Sequence, residues 1–381
     1  MVVLVQLSAA RQNIMLDARR AASVALLGAV ALAGCHTADA PDKTTTVDLA
    51  QVSPGIADQS SATPREASDR AFRFSWGNGP AELAVIPPAF ETVATGPSAV
   101  ALLPGGSPLI LDRLAGRIVR VDEEGQLVPW ATVPVDAEEL ASSQDGSLVA
   151  FSPLRATAWI YDADGTSAGE LQVPRALHQL LHVELGPSRV VQVRTGYQEL
   201  IDVGSPSAPL PLAVALQTKK EGAVLLGDGR GLTVIVADGH AAVQVVQQAD
   251  AEQHASVVAT HPIDGPATGA RIVGTFGKVA CLRLEQVVSS PTIAVSRRAV
   301  CVDVSDGSIT FDRALPAPGL YVPRRELAMG GGHLAFIHPT SDGLTLQRWK
   351  LDRGKGSVSP TVDLVPNEPV ATPGQAKEVQ P

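Results

Sequence analysis

The sequence predicts an all-β domain in which a short unit is repeated. Apolar runs of four to six residues recur between Gly, Pro, Asp and Ser, which is typical of short strands. The domain contains no convincing long amphipathic helix. A strand that ends in aspartate before a turn occurs at Asp122, Asp162 and Asp202, 40 residues apart, and again at Asp303 and Asp352. Four strands repeated every 40 to 50 residues predict a β-propeller.

The repeat gives six units. The interval of 101 residues between Asp202 and Asp303 leaves room for one further unit, centred on Val243–Val246. Two upstream runs, Phe72–Trp76 and Glu82–Ile86, form either a degenerate seventh blade or the closure of the ring. A two-sheet β-sandwich array is the main structural alternative. The first unit predicts strands over residues 98–103, 108–112, 117–122 and 126–133.

The stretch from Asp112 to Gly125, DRLAGRIVRVDEEG, resembles a blade of the NHL-like and quinoprotein-like propellers. Over residues 96–366 the resemblance is one of repeat spacing, and the first two units match it best. It implies a six- to seven-bladed β-propeller, which we expect over residues 71–366.

The N-terminal segment has the parts of a secretory signal. Arg19 and Arg20 precede an uncharged apolar run over residues 21–33, which is too short to span a bilayer. The tetrapeptide that ends in Gly34 and Cys35, Leu-Ala-Gly-Cys, resembles the lipobox of bacterial lipoproteins. It implies a signal peptide over residues 1–34, cleavage between Gly34 and Cys35, and lipid on the Cys35 sulfur. An ordinary cleaved signal is the alternative.

Either Met1 or Met15 could be the true start residue. A signal that begins at Met15 has an ordinary length, whereas one that begins at Met1 does not. Two or more acyl chains would hold the protein stably on a membrane of the cell envelope. His36 follows the cysteine where aspartate would favour inner-membrane retention by the enteric rule, so the outer membrane is favoured. Residues 35–70 and 367–381 lack periodicity and predict a flexible tether and a flexible tail.

Composition limits the classes of partner. The chain has a formal net charge of −9, and removal of residues 1–34, which hold three Arg and one Asp, lowers it to −11. An acidic chain argues against sequence-independent nucleic-acid binding.

After lipidation, Cys281 and Cys301 remain as an even pair whose midpoint is residue 291, in a predicted turn. They are therefore predicted to be cross-strand neighbours that form a disulfide in an oxidising periplasm, or else two independent core residues.

Candidate catalytic and metal-binding residues are few. His178 and His182 would lie about 13 Å apart on a strand and have no third ligand at a usual spacing, so we interpret them as partly exposed structural residues. Asp162 and Asp164 resemble the start of a calcium loop but lack its later ligands, which favours a turn. Gluconolactonase-type propellers use Asn among their metal ligands, and this chain has no Asn within a clear repeat. We therefore predict no metal or cofactor, and the sequence identifies no catalytic residue.

These observations favour an envelope lipoprotein whose propeller binds or scaffolds proteins or glycans. The alternative is a periplasmic hydrolase or lyase, lactonase-like, that uses the propeller channel. Asp, Glu or His side chains that converge from several blades would favour the enzyme. A channel lined by Ala, Ser and Val would favour the binding module. A third hypothesis is a surface-exposed adhesion or sensing protein.

Overall fold

The computed structural model describes residues 69–90, 92–177, 180–196, 198–248, 255–288, 293–351 and 357–358. Contacts divide the chain into Met1–Ala62 and Thr63–Pro381, and every described residue belongs to the second unit. The predicted signal peptide, Cys35, most of the tether and the tail therefore lie outside the described residues. No helix among the described residues is long and apolar enough to cross a membrane.

The described chain folds into six sheets that follow one another as the blades of a propeller, and all are antiparallel except for one short added strand in the fifth. The first three blades contain the units in which the aspartate repeat is most regular. Blade 1 consists of β2 (Ala99–Leu102), β3 (Pro108–Asp112), β4 (Arg117–Val121) and β5 (Leu127–Thr132). Blade 2 consists of β6 (Glu139–Ser142), β7 (Leu148–Ser152), β8 (Thr157–Tyr161) and β9 (Ser167–Gln172). Blade 3 consists of β10 (Leu180–Leu185), β11 (Val191–Thr195), β12 (Glu199–Ser205), β13 (Ala208–Pro209) and β14 (Lys220–Glu221), with helix α1 (Leu212–Ala215).

The other three blades complete the ring, and the N-terminal strand closes it. Blade 4 consists of β15 (Val224–Leu225), β16 (Gly231–Ala237), β17 (His240–Gln247) and β18 (Ser256–Pro266). Blade 5 consists of β19 (Gly269–Phe276), β20 (Val279–Val288), β21 (Ala294–Asp303) and β22 (Ile309–Leu315), with β26 (Ser357–Val358) parallel to β22. Blade 6 consists of β23 (Leu327–Gly330), β24 (His333–Thr340), β25 (Gly343–Lys350) and β1 (Arg70–Phe74).

The predicted propeller and its six units are confirmed. The further unit centred on Val243–Val246 is blade 4, whose β17 contains these residues. Of the two roles left open for Phe72–Trp76, the structure shows ring closure, because Phe72 in β1 pairs with Leu346 in β25. This pairing supplies the fourth, outermost strand of blade 6, so that an N-terminal strand and three later strands share one blade.

Two of the repeated aspartates, Asp122 and Asp303, act as turn formers. The prediction is wrong for Asp202, which lies inside β12 and pairs with Lys220, and Asp352 lies outside the described residues. Asp122 Oδ1 accepts a hydrogen bond of 2.7 Å from the backbone N–H of Gln126, and Asp303 Oδ1 accepts one of 2.8 Å from Ser305. The glycines of these turns, Gly125 and Gly307, have φ values of +82° and +80°, which glycine adopts without strain. Asp-x-x-Gly and its variants therefore fix where the strands of a blade reverse.

Apolar side chains pack between neighbouring blades and form the core. Buried clusters join blades 6 and 1, 1 and 2, 2 and 3, 4 and 5, and 5 and 6. Among the described residues, the junction of blades 3 and 4 has no such cluster. Its contacts are polar: the Gln198 amide donates to Val234 O at 2.6 Å and accepts from Val234 N at 2.7 Å. This side chain occupies the edge of β16 that the two-residue strand β15 leaves unpaired.

Cys281 and Cys301 lie directly opposite each other in β20 and β21, which is the register that their spacing about residue 291 predicts. Their sulfur atoms are 1.95 Å apart, and both side chains are buried. A bond between them would join the second and third strands of blade 5.

We predict that replacing both cysteines, Cys281→Ala with Cys301→Ala, lowers the free energy of unfolding by about 3 kcal/mol, because the unfolded chain is no longer crosslinked. Urea unfolding of both proteins, with and without reductant, measures this difference. Reductant should destabilise the wild type and leave the double variant unchanged. Equal stability of the two proteins under oxidising conditions would contradict the prediction.

Candidate functional site

Charged side chains converge at one end of the ring. We call this end, where the innermost strand of each blade begins, the entry face, and the opposite end the exit face. The charged side chains come from blades 2, 3, 5 and 6. Within a blade they lie on the innermost strand, just before it, or on the second or third strand. This channel cluster comprises Glu139, His182, Glu184, Arg194, Arg271, Arg283, Glu285, Arg297, Arg325 and Glu326.

Arg325 connects the blades on opposite sides of the ring. Its backbone precedes β23 of blade 6 and bridges to Ala99 of blade 1. The guanidinium donates to Leu140 O of blade 2 and to Val183 O of blade 3, each at 3.1 Å. It also lies 2.8 Å from Glu184 Oε1. Because blades 6 and 3 face each other in a ring of six, this buried side chain crosses the channel.

Glu139 begins β6 and is completely buried, with His182 of blade 3 bonded to it through Nδ1. Burial opposes ionisation, but His182, Arg325 and Arg324 together lower the pKa of Glu139 to about 2. Burial also lowers the pKa of His182 to about 4, against the opposing influence of Glu139. At neutral pH the pair is therefore a carboxylate that accepts a hydrogen bond from a neutral imidazole.

Two further arginines hold blades 3, 5 and 6 together. Arg194, opposite His182 in register, pairs with Glu184 and donates to Ile272 O of blade 5 at 2.8 Å. Arg297 donates through Nη1 to Glu326 Oε2 at 2.8 Å, and both side chains are 2% exposed. Arginine suits this role because its planar group satisfies several acceptors at once.

Arg283 and Arg271 lie opposite each other in β20 and β19. Arg283 is paired on two sides: it donates to Glu326 Oε1 at 2.8 Å and also contacts Glu285. Arg271 is half-buried, and within the described part of the chain its guanidinium has no hydrogen bond or ion pair. Burial, together with the charges of Arg283, Arg194 and Arg325, lowers the pKa of Arg271 to about 10.

Exposed apolar side chains surround this charged centre. Of sixteen large apolar residues exposed among those described, twelve lie at the entry-face ends of strands or in entry-face loops. Two others, Val257 and Val258, lie at the exit face, and the remaining two lie in or beside helix α1. The apolar rim of the entry face comprises Ile86, Phe90, Val93, Val135, Leu154, Ile235, Val236, Val287, Val288, Ile293, Val295 and Val322.

The channel lining is charged, which differs from the Ala, Ser and Val lining expected of the binding module. Carboxylates do converge from several blades, as the hydrolase alternative requires. Each of the four glutamates, however, is paired with at least one arginine of the cluster, so none is a free general base. Among the described residues, no group of three or more His, Cys, Asp or Glu side chains could hold a metal ion.

The residues that the sequence singled out are dispersed. Of the histidine pair, His178 lies outside the described residues, and His182 is buried in the channel cluster rather than partly exposed. Its partner is Glu139, 43 residues away, because sheet geometry and not helical spacing brings them together. Asp162 pairs with Arg189, and Asp164 accepts a hydrogen bond of 2.9 Å from Thr166 N, as expected of turn residues.

Sequence reasoning missed the arginines and glutamates of the channel cluster. The available signal was a charged residue inside an otherwise apolar strand, as at Glu184 in β10 and at Arg271 in β19. A solvent-facing residue produces the same alternation. A residue that faces the channel differs from one that faces solvent only because its strand lies next to the channel.

A cleft of about 830 Å³ opens between blades 3 and 4 and is a second candidate site. It is lined by Lys219, Lys220, Gln244, Val257 and neighbouring residues. Its two lysines pair with Glu199 and Asp202, so their charges are already matched. The lining also includes Glu221, whose charge adds to that of Glu199 in raising the pKa of Lys219 but which has no ion pair among the described residues. The cleft therefore has no excess positive charge that would select an anion.

No protein-family model matches the chain, and no curated protein matches it. Among solved structures the chain is similar to virginiamycin B lyase from Staphylococcus aureus, at 10% identity and a TM-score of 0.42, over 74% of this chain and 100% of that one. It is also similar to a putative gluconolactonase (14%, TM-score 0.36, 72% and 96% covered) and to the PQQ-bound aldose sugar dehydrogenase of Streptomyces coelicolor (14%, TM-score 0.36, 70% and 98%). These neighbours include lyase, lactonase and dehydrogenase enzymes. At this level of similarity they carry no inference about activity.

The buried His182 predicts acid sensitivity. Its pKa is lowered from 6.5 in the unfolded chain to about 4, so between these values only the unfolded chain binds the proton. Stability should therefore fall by about 1.4 kcal/mol per pH unit from this group as the pH drops from 6.5 to 4. His182→Gln, whose amide also donates to Glu139, should show a shallower loss.

Urea unfolding at pH 7, 6 and 5 measures the difference in slope between wild type and His182→Gln. The variant His240→Gln, at an exposed position in blade 4, is the matched control and should follow the wild type. Parallel stability curves for the wild type and His182→Gln would show that His182 titrates alike in the folded and unfolded chain.

Proposed function

We propose that this protein is a lipid-anchored binding module of the bacterial cell envelope and that a protein partner docks on its entry face. The observation that carries the proposal is the concentration of exposed apolar side chains on that face. A concentration of exposed apolar surface on one face typically marks a site of interaction with another molecule. The apolar rim lies around a charged centre that ion pairs between blades hold rigid.

The anchor in this proposal is a lipid on Cys35, attached after cleavage at Gly34, and the outer membrane is favoured over the inner one. The lipobox-like residues 32–35 and the apolar run before them support it. The first described strand, β1, begins at the exit-face end of blade 6. The point at which the tether joins the ring is therefore opposite the proposed docking face.

A protein partner suits the rim better than a glycan does. The rim is mostly aliphatic, with Phe90 its single aromatic residue among those described, whereas a stacking platform for sugars needs several aromatic rings. Phe90 and Leu154 are 93% and 81% exposed and occupy different loops. Truncation of such side chains changes contact with a partner and leaves the core of the ring intact.

The anchor predicts the behaviour of the precursor. Globomycin should cause an unprocessed precursor to accumulate, and Cys35→Ser should move the protein from the membrane fraction to the soluble fraction. The double variant Cys281→Ala with Cys301→Ala is the matched control and should remain membrane-bound, because the lipid needs only Cys35. Mass analysis that finds an unmodified thiol at position 35 would rule out the anchor.

The docking face predicts a selective loss of partner binding. In a pull-down from gently solubilised envelopes, wild type should retain a stoichiometric protein that Phe90→Ser with Leu154→Ser loses at least tenfold. The exit-face variant Val257→Ser with Val258→Ser removes two exposed valines and should retain it. Equal retention by both double variants would refute docking at the entry face. Hydrolysis of an envelope substrate in the absence of any partner would favour the enzyme alternative.

A further inference from the structure

The charges of the channel cluster do not balance. It contains five arginines, 194, 271, 283, 297 and 325, and four glutamates, 139, 184, 285 and 326, while its histidine is neutral at pH 7. Four of the five arginines contact at least one of these carboxylates. The excess positive charge belongs to the fifth, Arg271, which contacts none of them.

The position of Arg271 makes this excess significant. It lies on the innermost strand of blade 5, half-buried, and directly opposite Arg283 in register. The neighbouring guanidinium of Arg194 donates to the carbonyl of Ile272, the next residue along the strand. A charged group held away from bulk water and beside other cations is unfavourable unless an anion compensates it.

We propose that Arg271 is the main residue of an oxyanion-binding site at the entry-face end of the channel, and that this site takes a carboxylate or phosphate group. A guanidinium presents paired N–H donors that match two oxygens of either group. Arg194, Arg283 and Arg325 add positive potential, which the charge of Glu139 offsets only in part. The pKa of about 10 leaves Arg271 charged at neutral pH, so the site is ready to bind an anion.

The oxyanion site does not depend on the protein partner proposed above. Its occupant is defined by the chemistry of one group, which a small molecule, a lipid headgroup or a macromolecule is able to carry. The anion site and the apolar rim lie on the same face, so a ligand that joins an anionic group to an apolar body would engage both.

The test compares thermal unfolding of the full chain in detergent at pH 7 and constant ionic strength, with chloride as reference and either acetate or inorganic phosphate as probe. Wild type should show a saturable rise of its unfolding midpoint, roughly 5 °C at a hundredfold excess over Kd, for at least one probe. Arg271→Met should lose this rise, and in chloride it should unfold at or above the wild-type temperature. A response to acetate identifies a carboxylate site, and a response to phosphate identifies a phosphate site.

Arg283→Met is the matched control, because it removes an arginine at the opposed position whose charge is paired. It should unfold well below the wild type in chloride, since it leaves Glu326 and Glu285 without one partner. If Arg271→Met is equally destabilised, the residue is structural and the proposal fails. It also fails if neither probe stabilises the wild type, or if Arg271→Met responds to both probes as the wild type does.

A second readout needs no variant. An arginine-selective dicarbonyl such as phenylglyoxal should modify Arg271 faster than the paired arginines of the cluster. Its guanidinium has no hydrogen bond or ion pair to any described residue, and its pKa is lowered. The stabilising probe should slow this modification at least threefold, as mapped by mass spectrometry. Modification of Arg271 that neither acetate nor phosphate slows would overturn the proposal.

Discussion

The structure depends on the pairing of charge at the centre of the ring. Glu139 and Glu326 are buried, and an unpaired carboxylate in that position would cost several kcal/mol. Arg325 compensates Glu139 and also satisfies backbone carbonyls of blades 2 and 3. Removing one partner of such a network leaves the charges of the others uncompensated. Because the contacts run between blades, the same pairs that make the buried charge tolerable also fix the blades relative to one another.

A centre of this kind is well suited to hold a surface rigid and poorly suited to proton transfer. The pKa of Glu139 is held near 2 and that of His182 near 4, so neither group changes protonation near neutral pH. A general acid or base works best when its pKa is close to the working pH. The entry-face loops, by contrast, carry exposed residues such as Phe90 and Leu154 on blades that these ion pairs join. Rigid presentation of apolar loops lowers the entropy lost when a partner binds.

The fold was largely predictable from the sequence, and the site was not. Local chemistry specifies the turns: Asp122 and Asp303 accept backbone hydrogen bonds within a few residues of themselves, so their repeat identifies the blades. The register of Cys281 and Cys301 follows from counting outward from one turn. The contact of Glu139 with His182, in contrast, depends on where two different blades meet the channel. No spacing in the sequence encodes that distance, and an inward-facing arginine has the same alternation as a solvent-facing one.

The asymmetry of the ring explains where the unbalanced charge lies. Blade 4 has an innermost strand of only two residues, Val224 and Leu225, and contributes no residue to the channel cluster. Arg194 of blade 3 therefore reaches past it to the carbonyl of Ile272 in blade 5. Arg271 lies on that same strand of blade 5, which adjoins blade 4, and the carboxylate that blade 6 supplies, Glu326, is paired with Arg283 and Arg297. The Gln198 amide supplies two hydrogen bonds to the backbone of Val234 in β16, but it carries no charge. Among the described residues, blade 4 thus gives Arg271 no carboxylate partner, and the charge of Arg271 is the one that the proposed oxyanion would compensate.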